Sequence, residues 1–241
     1  MTSKPAEELA ETLVELADTL ATEFDLDDFL RLLANRCVRL LDVDAVGVFL
    51  IDHGVVASSE RAALIELAAQ RNDEGPWRDC CRTGEEVAVP DLAAERDRWP
   101  RYVAAATLAG FAAVHAVPLC RREDLIGTLS LFRTERGPLE KSETRLARAM
   151  ADVATIGILG TRALRRQETL AAQLQHALNS RVIIEQAKGV LAERLGLTTT
   201  TAFATLRSYA RSNNTRVSEL ALSIVDGKFN TDLLRTEGPT C

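Results

Sequence analysis

A long stretch in the second half of the chain, residues 138–195, carries apolar residues at three- and four-residue steps. These are Leu146, Met150, Val153, Ile156, Leu159, Leu170, Leu174, Leu178 and Val182. The spacing is that of an amphipathic helix, and a periodic run longer than about 25 residues is typical of a coiled coil or a helical connector. We therefore predict one long, coiled-coil-like helix. Gly157 and Gly160, which are poor helix formers, indicate where it bends or packs tightly against a dimer mate.

A narrower apolar seam lies near the N-terminus. Within residues 5–23, leucines follow one another at 4-3-4 spacing: Leu9, Leu13, Leu16 and Leu20. Such a narrow seam is the pattern of a helix that pairs with another helix. We predict that residues 1–24 form a helix that takes part in dimerisation.

Helical and strand patterns alternate between these two helices. A helix at about 26–41, capped by Asp25, comes first. The elements predicted after it are, in order, strands at 45–51 and 55–58, a helix at 60–71, a short helix that ends at 83–84, a strand at 87–89, a helix at 99–108, and strands at 111–119 and 125–132. This order predicts an α+β fold with an antiparallel sheet.

The last part of the chain predicts a small bundle of three helices, formed by the end of the long helix and by helices at about 200–211 and 217–225. The predicted breaks and caps are Gly196, Thr198 or Thr199, and Thr215. Residues 231–241 are expected to form a disordered tail.

Net charge divides unevenly along the chain. Residues 165–216 hold eight Arg or Lys and three Glu, a net charge of +5, whereas the whole chain carries −6. The remaining residues therefore carry −11. A basic segment attached to an acidic body favours an anionic partner for the C-terminal part, with a solvated helix face as the alternative.

Two runs in the first half resemble the GAF family. GFAAVHAVPLCRREDLIGTLSLF is similar to the signature hairpin of GAF domains, and TGEEVAVPDLAAERDRWPRYVAAATLAGF matches the pattern between their central strands. The resemblance covers residues 25–160 and implies a GAF-like sensor domain with a pocket between the sheet and the helices of 60–108. The chain lacks a bilin-attachment cysteine and the residue set of cyclic-nucleotide binders, so the cofactor and ligand stay unknown.

Three side chains are candidates for sensing a small-molecule or redox signal. Cys80 and Cys81 lie between two arginines, whose charge would lower the pKa of a thiol, although two half-buried small side chains are the favoured alternative. His115 lies in a predicted strand and could ligate haem iron, but a buried histidine with a satisfied hydrogen bond is the favoured alternative. No Cys/His spacing suits a metal site.

The sequence offers no catalytic motif, and we expect a protein that is not an enzyme. It has no glycine-rich phosphate loop and no GxSxG, and no Asp or Glu stands in an apolar context that would indicate a perturbed carboxylate. No apolar run of about 18 residues and no N-terminal signal segment is present, which predicts a cytoplasmic protein without membrane contact. The five cysteines, without a CxxC pair, predict reduced thiols.

The C-terminal part resembles the ANTAR family of RNA-binding transcription antitermination regulators. The matching residues are Leu178, Ser180-Arg181, the string IEQAKG at 184–189, Leu191, Ala202-Phe203, Leu206-Arg207, Ala210, Asn213 or Asn214, and Leu220. The chain departs from the family at Thr201, where members often carry an acidic residue. The resemblance covers residues 177–230 and leaves 161–176 as a connector helix between the two domains.

The ANTAR resemblance implies a signal-responsive regulator that binds paired RNA hairpins with short loops as a homodimer, so that a transcription terminator does not form. The candidate RNA-binding residues are Ser180, Arg181, Ala187, Lys188, Gly189, Arg207, Ser208 and Arg211. Basic side chains among them would reach phosphates. Ala187 and Gly189 would admit the RNA backbone or, alternatively, allow close helix packing. A DNA-binding regulator that uses the three helices, and a scaffold that only dimerises, are the competing interpretations.

Overall fold

A five-stranded antiparallel sheet organises the first of two units into which the chain divides, residues 1–163 and 164–241. The computed structural model describes residues 4–21, 25–122 and 124–234. The strands are β1 (Ala45–Leu50), β2 (Gly54–Ala57), β3 (Val87–Val89), β4 (Ala113–Arg121) and β5 (Asp124–Arg133), in the spatial order β2-β1-β5-β4-β3. Each neighbouring pair is antiparallel, which confirms the predicted sheet.

Helices cover both faces of this sheet in the order that the sequence predicts. They are α1 (Lys4–Ala21), α2 (Leu26–Leu40), α3 (Glu60–Asn72), α4 (Pro76–Thr83), α5 (Pro100–Leu108) and α6 (Lys141–Leu195), with a 3₁₀ turn at Leu92–Glu95. Asp25 caps α2 as predicted, because its carboxylate accepts hydrogen bonds from the backbone N–H groups of Asp27 and Asp28.

Alternation along β5 separates two apolar cores. Leu129 and Leu131 belong to the core that also includes residues of α1, α2 and the first part of α6. Phe132 belongs to the core formed with α3 and α5. Because successive side chains of a strand point to opposite faces, Thr128 and Ser130 lie on the same face as Phe132. Polar side chains are therefore buried on the α3–α5 face.

The N-terminal leucine seam finds its partner within the same chain. Leu16 is fully buried, and Leu9 and Leu20 pack against the core shared by α2 and α6. A Cβ at Gly157 on α6 would collide with Leu20, so this glycine makes room for α1 and not for a dimer mate. Most of the seam is thus covered within the chain, while Leu13 stays 37% exposed. Dimerisation through residues 1–24, of which 1–3 and 22–24 lie outside the described residues, stays a prediction.

The second unit is a bundle formed by the end of α6 with α7 (Thr199–Ser212) and α8 (Val217–Val225). Its core contains Ala187, Leu191, Ala202, Leu206, Ala210, Leu220, Ala221 and Ile224. Thr198 caps α7, since its hydroxyl accepts a hydrogen bond from the backbone N–H of Thr201 at 3.2 Å. Gly196, with φ of +67°, ends α6 as predicted.

Two predictions for the second unit are wrong. Arg216, not Thr215, is the N-cap of α8 and makes no side-chain capping bond, whereas the Thr215 hydroxyl donates to the carbonyl of Asn213. Within the expected tail, Thr231–Leu234 form a 3₁₀ turn and the side chain of Leu234 is buried in the bundle core. Residues 235–241 lie outside the described part of the chain.

Candidate nucleic-acid interface

The predicted RNA-binding residues come from two helices that pack against each other. Ser180 to Gly189 lie near the end of α6, and Arg207 to Arg211 lie on α7. Ala187 is fully buried in the bundle core, so helix packing is its role. Ser180 is half-buried on α6, and among the described residues no hydrogen bond or ion pair joins Ser180 or Arg181 to α7.

Lys188 connects the two helices through an aromatic ring. Its ammonium group lies 5.6 Å from the ring centroid of Phe203 on α7. The same ammonium donates hydrogen bonds to both carboxylate oxygens of Glu185, at 2.8 and 2.9 Å, and its side chain is only 19% exposed. Glu185 thus already partly neutralises the charge of Lys188. The prediction that Lys188 reaches an RNA phosphate assumed an ammonium group without such a partner.

Arginines supply the uncompensated charge of this face. Arg181, Arg207 and Arg211 are exposed, and within the described part of the chain none of them forms a salt bridge. Arg181 lies two turns before Lys188, about 10 Å along the helix and on nearly the same side of it. Unpaired guanidinium groups at the surface are suited to bind phosphate oxygens in bidentate fashion.

An open groove of about 530 Å³ runs along α7. It is lined by Thr200, Phe203, Ala204, Arg207, Ser208 and Arg211. Three of the predicted residues therefore share one solvent-open face of α7. The groove also holds the aromatic ring of Phe203 and the hydroxyl of Thr200, neither of which is among the predicted RNA-binding residues.

Gly189 has no packing reason to be a glycine. A Cβ added at this position would meet no atom within 4 Å outside the local helix backbone. Glycine inside a helix costs about 1 kcal/mol relative to alanine. Close helix packing, which explains Ala187, therefore does not explain Gly189, and approach of an external partner to the helix backbone stays open.

The two candidate thiols of the first unit are not activated. Burial raises the pKa of Cys80 to about 12, with repulsion from Cys81, Cys120 and Glu86 adding to it, and burial raises the pKa of Cys81 to about 11. The flanking arginines are engaged elsewhere, since Arg78 pairs with Asp73 and Arg82 with Asp79. The expected lowering of thiol pKa by arginine is therefore wrong.

His115 faces a carboxylate, and the space around it is small. Its Nε2 lies 3.4 Å from Glu86 Oε2 without forming a hydrogen bond, while Arg148 Nε donates to the other oxygen of Glu86 at 2.7 Å. Burial lowers the pKa of His115, and Glu86 acts in the opposite direction. The adjoining cavity measures about 10 Å³, room for about one water molecule and far too little for haem.

A buried carboxyl group in the first unit escaped the sequence analysis. Glu66 on α3 is 2% exposed, and burial raises its pKa to about 7, with a hydrogen bond from Ser130 acting in the opposite direction. Glu66 Oε1 and Thr128 Oγ1 have no hydrogen-bond partner among the described residues. Glu66 follows Ala62 by four residues and precedes Ala69 by three, so the helical period was the signal in the sequence that it lies on the buried face of α3.

The described residues contain no cluster of three or more His, Cys, Asp or Glu side chains that could hold a metal ion. Over the same ranges, no helix has both the length and the apolar character that crossing a membrane requires.

Comparison with known families gives two matches along the chain. The model of the GAF domain matches residues 23–159, and the model of the ANTAR domain matches residues 172–225. The order of the two domains is the one that the sequence motifs indicate. No curated protein matches the chain.

Solved structures with a similar fold include several GAF domains. The GAF domain of a phosphoenolpyruvate-protein phosphotransferase from Acinetobacter is 16% identical, covers 68% of this chain and 97% of its own, and has a TM-score of 0.49. The GAF domain of the cyanobacteriochrome TePixJ is 18% identical, with coverages of 59% and 94% and a TM-score of 0.47. Free methionine-R-sulfoxide reductase from Neisseria meningitidis is 16% identical, with coverages of 68% and 95% and a TM-score of 0.48.

Proposed function

Because the chain belongs to the GAF-domain family and carries an ANTAR domain after it, we propose that it is a signal-regulated antiterminator that binds paired RNA hairpins. The observation that carries this proposal is the α7 groove, in which Arg207 and Arg211, which form no ion pair with any described residue, lie beside a hydroxyl and an aromatic ring. In this function the protein is not an enzyme. A signal received by the GAF domain changes how the RNA-binding domains are presented.

The electrostatic part of RNA binding comes from the arginines more than from Lys188. Each phosphate that a free guanidinium neutralises releases condensed counterions, which makes the affinity depend on salt. Lys188 must first give up part of its interaction with Glu185 to bind a phosphate. We therefore expect Arg207 and Arg211 to contribute more to the salt dependence than Lys188 does.

A second copy of the chain is the proposed partner of α6. From residue 165 through 179 every side chain is exposed, and five large apolar residues of α6 are 54–60% exposed: Leu164, Leu170, Leu174, Leu178 and Val182. Helices without tertiary contacts are marginal in water, and most helical stability comes from packing of an apolar face. Pairing of α6 with its copy would cover this stripe and supply two RNA-binding domains for two hairpins.

RNA binding is tested by gel shift with a two-hairpin RNA selected from a loop-randomised pool, against duplex DNA of equal length. We expect preference for the RNA. Preference for the duplex would instead support a DNA-binding regulator, and binding to neither would favour a scaffold. Arg207→Ala and Arg211→Ala should each weaken RNA binding and lower the slope of log affinity against log salt by about 1. Arg31→Ala, a change of an exposed arginine on α2, is the matched control and should leave both unchanged.

Antitermination itself needs a separate experiment. The selected hairpins are placed upstream of an intrinsic terminator, and transcription through it is measured with and without the protein. Increased read-through that is lost in Arg207→Ala is the expected result. RNA binding without any change in read-through would contradict antitermination while leaving the RNA-binding function intact.

A further inference from the structure

Phe203 on α7 is exposed in a way that core packing does not explain. The core residues of α7, Ala202, Leu206 and Ala210, repeat at four-residue steps. Phe203 starts a neighbouring stripe one residue later, about 100° around the helix, and remains 37% exposed. Arg207 and Arg211 continue this stripe. A large aromatic ring thus stands in line with the two unpaired arginines of the groove.

The contact with Lys188 holds the ring in place without closing the groove over it. The Lys188 ammonium lies 5.6 Å from the ring centroid and is itself fixed by hydrogen bonds to Glu185. A cation near an aromatic face is attracted by its quadrupole. Phe203 nevertheless lines the open groove of about 530 Å³. The ring is therefore positioned in advance and still accessible.

The remaining groove residues complement a flat, polar-edged ligand. Ala204, next to Phe203, contributes only a methyl group and so leaves space beside the ring. The hydroxyls of Thr200 and Ser208 can donate or accept hydrogen bonds at a base edge. The guanidinium groups of Arg207 and Arg211 can bind the flanking phosphates. Proteins that read RNA sequence commonly stack splayed loop bases on aromatic side chains.

We propose that the α7 groove is a nucleobase site in which one unpaired base of an RNA loop stacks on Phe203. The proposal rests on the RNA-binding function argued above and adds a source of affinity that phosphate contacts do not provide. Stacking requires an aromatic face and a base, whereas phosphate binding requires neither. This difference separates the two contributions experimentally.

The first test replaces the ring in the full-length protein. Phe203→Leu keeps an apolar side chain but removes the aromatic face, and we expect the affinity for the selected two-hairpin RNA to fall about 5- to 150-fold, the range measured for loss of one stacked base. Phe203→Tyr keeps the face and should bind within about twofold of the wild type. Equal affinity of Phe203→Leu and the wild type would overturn the proposal.

The second test combines the protein change with changes in the RNA. Each loop nucleotide is replaced in turn by an abasic one, and binding of the wild type and of Phe203→Leu is measured. We expect one loop position at which the abasic RNA weakens wild-type binding as much as Phe203→Leu does, with no further loss when the two are combined. Additive losses at every position would mean that Phe203 does not contact a base, and would overturn the proposal.

A third measurement keeps the proposal testable if Phe203→Leu fails to fold. Phe203→Trp introduces a fluorophore into the second unit, since the two tryptophans of the chain, Trp77 and Trp99, belong to the first. Stacking should quench its emission when RNA with intact loops binds, and the abasic RNA of the sensitive position should not. Absence of quenching with RNA bound would overturn the stacking proposal alone. Failure of the wild type to bind any RNA of the pool would overturn both proposals.

Discussion

The Cγ atom of Glu66 lies 2.8 Å from the point where a Cβ would stand on Gly47, and its Oε1 lies 3.1 Å from that point. A carboxyl side chain on α3 therefore fills the space that a glycine leaves on β1. Both residues are buried between the sheet and the helices of the first unit, and Ser130, the residue opposite Gly47 on β5, acts to lower the pKa of the carboxyl. The sheet has room for the buried acid because Gly47 has no side chain at this position.

We expect Gly47→Ala to destabilise the first unit by about 1–3 kcal/mol, because the new methyl group would press on a side chain that cannot move into solvent. Chemical denaturation followed by tryptophan fluorescence measures this change, since Trp77 and Trp99 both lie in that unit. Gly160→Ala on α6 is the control. No atom stands within 4 Å of its new Cβ, so it should stabilise the protein or leave it unchanged. Equal effects of both variants would contradict the close contact.

Glu66 should make the first unit less stable as pH rises through the weakly acidic range. Its pKa is about 7 in the folded protein and 4.5 as the reference value, so the folded state holds the proton more tightly. The associated stability is fully present below pH 4.5, is lost progressively between about 4.5 and 7, and stays lost above that. The total corresponds to roughly 3 kcal/mol at 1.36 kcal/mol per pKa unit.

Glu66→Gln isolates this contribution from that of other titrating groups such as His115. The amide cannot ionise, so the difference in unfolding free energy between the variant and the wild type should grow in the variant's favour from pH 5 to pH 8. Urea denaturation at several pH values provides the measurement. A difference that does not change with pH would show that Glu66 titrates near its ordinary value in the folded protein.

Gly189→Ala should separate stability from RNA binding. Nothing crowds the new Cβ, and replacing glycine inside a helix by alanine stabilises by about 0.5–1 kcal/mol. If the RNA backbone approaches α6 at this position, the methyl group should weaken RNA binding although the protein becomes more stable. Gly160→Ala on the same helix should stabilise similarly without affecting RNA. A Gly189→Ala protein with unchanged RNA affinity would exclude a close approach of RNA there.

Leu174→Lys should weaken self-association if α6 pairs with a second copy. The side chain is 58% exposed and belongs to none of the buried cores of the described residues, so the change spares those cores but would place a charge in the proposed seam. Sedimentation velocity should show a shift from dimer towards monomer. Leu64→Lys, at a similarly exposed leucine of α3, should leave the assembly unchanged. A dimer that persists in Leu174→Lys would place the interface elsewhere.

Local patterns in the sequence were sufficient to predict the helices and strands and to indicate the two families. The bounds of α8 were predicted from periodicity, although the predicted cap lay one residue too early, and the order of helices and strands was predicted in the same way. These features depend on neighbouring residues, on helical or strand period, and on short motifs such as IEQAKG. Helical period also predicted which residues share one face of a helix, such as the leucine seam of α1.

Only the tertiary structure decided what covers each stripe and which charges are free. Periodicity shows that Leu16 and Leu20 share a face but cannot show that α1 packs on the chain's own α6 instead of on a second copy. The pairing of Arg148 with Glu86 joins residues 62 positions apart, while Arg207 forms no ion pair within the described ranges. The burial of Glu66 over Gly47 likewise joins distant segments. Burial and charge compensation depend on contacts between residues remote in sequence, and so the exposed aromatic ring, the free arginines and the buried acid became visible only in the fold.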